Sequence, residues 1–305
     1  MALAKARGLT IKQAVAALGI SRASYYRYKY EPELAKRRTK KEKIPPTPAE
    51  RIAVRETALL NPLTGYKRLT CLLQNEFVAG LRAHQVCSVL KEEGLLGLRA
   101  APVAGSLKRP QKPERPNQAW HIDIMYLRVN WRWYYLVDII DAYSRYLVHW
   151  TLNPTMLTHT VTLTVQEAVE RWGPFQAPPM LIHDSGTQFL SKEWRDLASH
   201  YGMPDIRTKI AHPESNGLIE RVHRTHRAEA LQETEDWTYE EANDEIARWV
   251  NVYNNLRPHS ALHGLPPVVY YLGEPEEAIA QREHFVLAAA EARAYYWQQH
   301  RTTVS

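Results

Sequence analysis

Three short runs decide the fold: WHIDIMYL at residues 120–127, IHDSGTQF at 182–189 and ESNGLIERVHR at 214–224. In the first, His121, Asp123 and Met125 alternate with Ile122, Ile124 and Tyr126, the period-two pattern of a strand. In the second, Met180–His183 reads as a short strand ended by Asp184, with Gly186 available for a tight turn. A polar group at a strand end is where open α/β sheets commonly expose chemistry. The third run enters through Pro213 and Gly217 and changes to a helical period. Glu220, Arg224 and Arg227 fall at i, i+4 and i+7, close to one helical face.

Asp123, Asp184 and Glu220 thus come from three separate elements, and 35 residues separate the last two. Phosphodiester chemistry at metal ions uses carboxylates that converge in this way, around two ions about 3.5–4 Å apart. Oxygen donors suit magnesium or manganese. The residues alone do not single out Asp123. The next segment, WRWYYLVDIIDAYSRYLVHWTL at 131–152, gives two more strands around a turn near 141–144 and contributes Asp138 and Asp141. Read alone, Glu220 with Arg224 is an ordinary helix pair worth a few tenths of a kcal/mol.

Downstream of the strands, THTVTLTVQEAVERW at 158–172 has early β-branched crowding that weakens its first half as a helix, so VQEAVERW carries the expectation. Ser191 caps a helix through SKEWRDLASHYGM, residues 206–210 form a short strand, and 236–249 form a helix packed by Trp237, Ile246 and Trp249. NVYNNLRPHSALHGLPPVVYYLG at 251–273 organises turns, and 276–301 is a helical tail that packs on another domain or subunit or stays solvated.

The chain has 305 residues, enough for more than one domain. Its net charge of +6 is unevenly spread. Residues 1–116 carry 23 Lys or Arg against 9 Asp or Glu, and the remainder carries 16 against 24. The N-terminal third is therefore the better place for nucleic acid to bind. Within it, TIKQAVAALGISRASYYRYKY at 10–30 reads as two short helices capped by Thr10 and Ser21, with Arg22, Tyr25 and Arg27 on the second. Residues 50–95 return to three helices, and GYKRL at 65–69 places Lys67 and Arg68 near an exposed helix start. Basic, proline-containing stretches at 31–49 and 99–118 read as linkers. Cys71 and Cys87 make neither a disulfide framework nor a zinc site and read as apolar fillers. No 18-residue apolar segment occurs, so the sequence gives no sign of membrane spanning or secretion.

The triad with its flanking words, its 35-residue gap and its basic helix resembles the catalytic core of DDE transposases and retroviral-type integrases. The words LGISRASYY, GYKRL and NNLRPHSAL extend the likeness to the downstream-frame protein of the bacterial insertion-sequence-three family. Ser185 stands where relatives commonly have asparagine. The resemblance implies an α/β, RNase-H-like mixed-sheet core preceded by small all-α modules. The expected division is a helix-turn-helix-like module at 1–30, a linker at 31–49, a second DNA-binding module at 50–98 and a linker at 99–118. The core at 119–235 is completed by 236–275 and followed by a tail at 276–305.

The resemblance selects Asp123, Asp184 and Glu220 as catalytic ligands of two Mg2+ ions, with Mn2+ as a substitute. It leaves Asp138 and Asp141 as structural groups or neighbours. It implies metal-dependent cleavage and strand transfer on double-stranded DNA, at terminal inverted repeats and a target. Arg22, Tyr25, Arg27, Lys67, Arg68, Arg224 and Arg227 are the expected DNA contacts. At least a dimer is expected on DNA, in the bacterial cytoplasm at the nucleoid. There is room for an upstream-frame helix-turn-helix partner or fusion. The rival readings are an inactive or regulatory DNA-binding relative and an RNase-H-like nuclease without strand transfer.

Overall fold

The computed structural model describes residues 10–17, 26, 44–96, 113–207 and 217–300. The chain divides into two units, residues 1–45 with 297–305, and residues 46–296. In the first unit, helix α1 (Ile11–Ala17) follows Thr10, whose hydroxyl accepts from the Gln13 amide at 3.3 Å. The rest of the expected helix-turn-helix, with Arg22, Tyr25 and Arg27, lies outside the described residues.

The second unit opens with three helices, α2 (Pro48–Leu60), α3 (Tyr66–Asn75) and α4 (Ala83–Glu92). Thr47 and Glu50 form a reciprocal capping box at the start of α2, which satisfies amide groups the helix cannot use. Gly65 precedes α3, and Gly94 lies just past α4 at φ +69°, the left-handed geometry that ends helices. Val54, Leu69, Leu73, Leu81, Val86 and Val89 bury a core of their own.

The sheet that follows has the order β3-β2-β1-β4-β5. Its strands are β1 (Ala119–Val129), β2 (Arg132–Asp141), β3 (Leu147–Asn153), β4 (Met180–His183) and β5 (Asp205–Arg207). The first three form an antiparallel meander, and β4 and β5 join in parallel. A three-strand meander with two parallel strands added beyond β1, and helices on both faces, is the RNase-H-like arrangement. The crossover from β3 to β4 is helix α5 (Thr158–Trp172), and α6 (Lys192–His200) precedes β5. These helices cover one sheet face through Trp120, Ile122, Val137, Ile139, Val161 and Trp194. The other face is covered by α7 (Gly217–Glu229) and α8 (Tyr239–Asn255), through Met125, Leu136, Ile140, Ile219, Val222 and Ile246.

Helix α5 is helical throughout, where β-branched crowding had argued against its first half. The threonines accommodate this by bonding back to the helix: Thr162 donates to the Thr158 carbonyl at 3.2 Å and Thr164 to that of Thr160 at 2.8 Å. Helix α8 begins at Tyr239 and not at Asp236, because Thr238 and Glu241 form its capping box. Residues 234–236 make a separate 3-10 turn.

After α9 (Pro267–Tyr271), the chain ends its described course in α10 (Pro275–His300), 26 residues long. Within the second unit α10 packs on the three-helix module. Arg293 is buried and reaches Glu50 in a forked ion pair, at 2.8 Å through Nε and 2.7 Å through Nη2, and also donates to the Gly80 carbonyl. A Cβ at Gly80 would overlap that of Ala289, so the two backbones approach this closely only with glycine there.

Candidate active site

The central strand β1 carries Asp123, and β2 carries Asp138 directly opposite it. Both therefore project to the face covered by α7. Three carboxylates were open as strand ligands from the sequence, and their surroundings now separate them. Asp141 is fully engaged by the turn: it accepts from the Ser144 amide at 2.7 Å, the Ser144 hydroxyl at 2.6 Å and the Asn117 amide at 2.8 Å. Asp138 is completely buried and accepts from Nε2 of His223 at 2.9 Å, while its Oδ1 has no partner. Asp123 keeps 20% of its side chain exposed. Its Oδ1 accepts from the Ile124 amide at 3.0 Å, and its Oδ2 lies 3.4 Å from Nδ1 of His223.

Burial pushes the Asp123 carboxyl up to about 6. The charge of His223 and the Ile124 amide oppose that rise, and the charges of Asp184 and Asp138 reinforce it. Burial by itself would lower the His223 imidazole, but its hydrogen bond to Asp138 and the charges of Asp138 and Asp123 outweigh burial and raise it. The site is thus a partly desolvated carboxylate that feels one imidazole, His223, and two further carboxylates, Asp184 and Asp138.

Asp184 follows the end of β4, next to β1 in the sheet. Its Oδ1 accepts from the Gly186 amide at 2.9 Å. Gly186 has φ −57°, an ordinary value, so the turn is fixed by the aspartate and needs no glycine freedom at this position. His183 anchors the loop from below: it is buried, stacks on Phe189 at 4.2 Å and faces Asp205 Oδ1 and the Asp184 carbonyl, each at 2.6 Å.

Helix α7 buries Ile219, Val222, His223 and His226 and exposes Glu220, Arg224 and Arg227. The structure brings Asp123 and Asp184 close enough for their charges to act on one another. Among the described residues no three His, Cys, Asp or Glu side chains gather as a metal-holding group. Asp123 and Asp184 nonetheless fit a hard divalent cation, which takes oxygen donors and would offset the cost of the buried carboxylate.

The expected cationic contacts lie in different settings. Arg224 and Lys67 are exposed. Arg227 donates to the Tyr126 carbonyl at 3.2 Å. Arg68 lies 3.5 Å from Glu229, at the far end of α7. The same carboxylate accepts from Arg257 at 2.9 and 3.1 Å and from the Trp249 indole at 3.3 Å. Burial and neighbouring Arg257 lower the Arg68 pKa. His226 stacks on Trp249 at 3.8 Å, and burial drops it to about 4.

Sequence reading gave His223 and Asp138 no leading role. A signal was present: His223 falls four residues after Ile219 and so on the apolar face of α7, where an ionisable group needs a partner. Its partner could be assigned only once the β1–β2 register was known.

Residues 113–213 and 201–267 match two models that are each described as an integrase core domain. The chain is 29% identical over 211 residues to the insertion element IS407 uncharacterized 31.7 kDa protein of Burkholderia multivorans, covering 67% of this chain and 73% of that one. It is 28% identical to the insertion element IS476 uncharacterized 39.2 kDa protein of Xanthomonas euvesicatoria, with 74% and 66% covered. It is 27% identical to the transposase for insertion sequence element IS904 of Lactococcus lactis, with 52% and 64% covered, so it spans under two thirds of that relative. Among solved structures, the catalytic core domain of HTLV-2 integrase in complex with magnesium superposes with a TM-score of 0.42 at 17% identity, covering 52% of this chain and 97% of that one. The two core matches place an integrase core domain on the five-stranded mixed sheet of this chain. More particularly, the chain contains an integrase/transposase catalytic core. No described helix is long and apolar enough to cross a membrane.

Proposed function

We propose that the protein is an insertion-sequence transposase of the insertion-sequence-three group. It would cut DNA at the 3′ ends of its element, at terminal inverted repeats, and join those ends to target DNA. The observation that carries the reading is the buried, electronegative carboxylate of Asp123 on the central strand of an integrase core, with Asp184 at the end of the adjacent strand. Asp123, Asp184 and Glu220 would hold Mg2+ or Mn2+, and bound ions would supply activation of the attacking oxygen and charge stabilisation on the leaving one.

The chain's own residues do the positioning. The Ile124 amide holds one oxygen of Asp123, and His223 faces the other at ion-pair distance. The Gly186 amide holds Asp184, and His183 anchors the loop beneath it. Exposed Arg224 extends from the same face of α7 as Glu220 and suits a phosphate, which arginine engages through directed, charge-assisted hydrogen bonds. Phosphate contacts fix register, so the sequence of the ends is read elsewhere, by the N-terminal helices. Two ends must be handled together, which favours at least a dimer on DNA.

The test uses the inverted repeats that flank the coding region. Full-length protein with Mg2+ should nick the 3′ ends and join them to a second duplex. Nicking without joining would leave a nuclease, and end binding without nicking would leave a regulator.

A further inference from the structure

Asp123 and Asp138 face each other across β1 and β2, on the same side of the sheet. Directly opposed residues in an antiparallel pair have Cα atoms roughly 4.5–5.5 Å apart, and like charges so placed are destabilising. One side chain stands between them. His223 reaches down from α7 with Nε2 2.9 Å from Asp138 and Nδ1 3.4 Å from Asp123.

For stability alone this is a poor arrangement. Asp138 and His223 are buried, Oδ1 of Asp138 has no partner, and the sheet face they occupy also carries the apolar cluster of Met125, Leu136 and Val222. Apolar residues of similar volume commonly serve such a position as well or better. What the pair supplies is geometry. It orients Oδ2 of Asp123, whose other oxygen is held by the Ile124 amide. It also fixes the rotation of α7 about its axis, and Glu220 sits three residues before His223 on that helix. A ligand's outer partners commonly set its direction and its affinity for metal.

We propose that His223, held by Asp138, is a positioning residue that sets the Asp123 carboxylate and the phase of α7 for binding a divalent cation. The proposal rests on the reading of Asp123 as a cation ligand.

The experiment compares full-length wild type with His223→Gln, with the apolar pair Asp138→Leu plus His223→Leu, and with Asp123→Asn as reference. Mn2+ binding to the protein alone is measured by calorimetry and by paramagnetic relaxation of water. The Mg2+ concentration for half-maximal end cleavage and the metal-free thermal melt are measured on the same preparations. His223→Gln and the apolar pair should bind Mn2+ about 10- to 100-fold more weakly, the usual cost of losing such a partner. Their Mg2+ requirement should rise in step, cleavage should largely recover at saturating Mg2+, and the apolar pair should melt at or above the wild-type temperature.

Unchanged Mn2+ affinity in both variants would overturn the proposal. So would cleavage lost at every Mg2+ concentration with Mn2+ affinity intact, which would make His223 a direct participant. Failure of both variants to fold would make the pair a folding element and also overturn it. The reference separates the two levels. If Asp123→Asn binds Mn2+ and cleaves normally, the cation-ligand reading itself fails. If it does neither while His223→Gln behaves as wild type, only the positioning role fails.

Discussion

Helix α7 carries one charged cluster at its middle and another at its last residue, and the two have opposite composition. At its middle, His223 stands between Asp123 and Asp138, one base between two acids. At its last residue, Glu229 is shared by Arg68, Arg257 and the Trp249 indole, one acid among bases. The first cluster joins the helix to the sheet and sets two acids against one imidazole. The second joins the helix to α3 of the three-helix module and to the loop after α8, with its single acid satisfied by several donors. Burial differs as well: Asp138 is completely buried in the first cluster, whereas Glu229 and Arg68 of the second keep about a third of their side chains exposed. On the proposed function a cation would complete the acidic cluster, whereas the basic one already has its counter-ion in Glu229.

The sharpest way to break this comparison is Asp123→Asn. If the acidic cluster binds a cation for chemistry, 3′-end cleavage and strand transfer should fall by at least about a thousandfold, roughly 4 kcal/mol of transition-state stabilisation. Cleavage within tenfold of wild type, in protein with an unchanged circular dichroism spectrum, would remove the functional contrast between the two clusters.

The same variant tests the electrostatics without metal. Asp123 has its carboxyl raised to about 6, mainly by burial. A group raised on folding contributes stability that is full below its unfolded value, near 4, and is lost as pH rises through about 6. Asparagine cannot ionise, so Asp123→Asn should be more stable than wild type at pH 8 by on the order of 2 kcal/mol, after allowance for residual exposure. The gain should vanish at pH 4. Thermal melts in EDTA at both pH values measure it, and a variant less stable at pH 8 would contradict the charge balance described.

In the other cluster, Glu229→Gln removes the shared counter-ion and leaves Arg68 and Arg257 facing one another. A loss of about 2 kcal/mol in urea unfolding is expected, since a partly buried cation is left without its partner. The paired substitution Glu229→Gln with Arg68→Met should recover part of that loss. No recovery would mean that Arg68 contributes nothing to the docking of α3. The smallest expected effect is on Arg224, which is exposed on α7 between the two clusters. Arg224→Ala should leave stability within about 0.5 kcal/mol, yet reduce crosslinking to the cut phosphate several-fold at saturating DNA. Undiminished crosslinking would make it a solvent-facing residue only.

The two clusters also differ in how far the sequence disclosed them. Asp184 at the end of an apolar run and the period-two pattern around Asp123 were legible, because they depend on neighbours a few residues away. The His223–Asp138 bond spans 85 residues and needs strand register, which alternation alone leaves open among Asp123, Asp138 and Asp141. The contact of Arg68 with Glu229 was equally hidden, because Glu229 lies on a different element in a different segment of the chain. Local propensity failed at α5 for a related reason: its threonines bond back to the helix, and Thr164 also meets Thr151 on β3 at 2.6 Å. Glycine was overrated at Gly186, whose turn is made by Asp184, and its real use is at Gly80, where a helix more than 200 residues later comes into contact.

That last contact bears on how the protein is made. Glu50 caps α2 early in the chain, and its ion-pair partner Arg293 lies 243 residues further on. At synthesis rates of roughly 5–20 residues per second, Glu50 waits on the order of 10–50 seconds for that arginine to emerge from the ribosome. During the wait the groove around Gly80 that α10 will fill stands open on the nascent chain. The helical module therefore reaches its final packing after the sheet between them has been translated, although it is the first part of the second unit to appear.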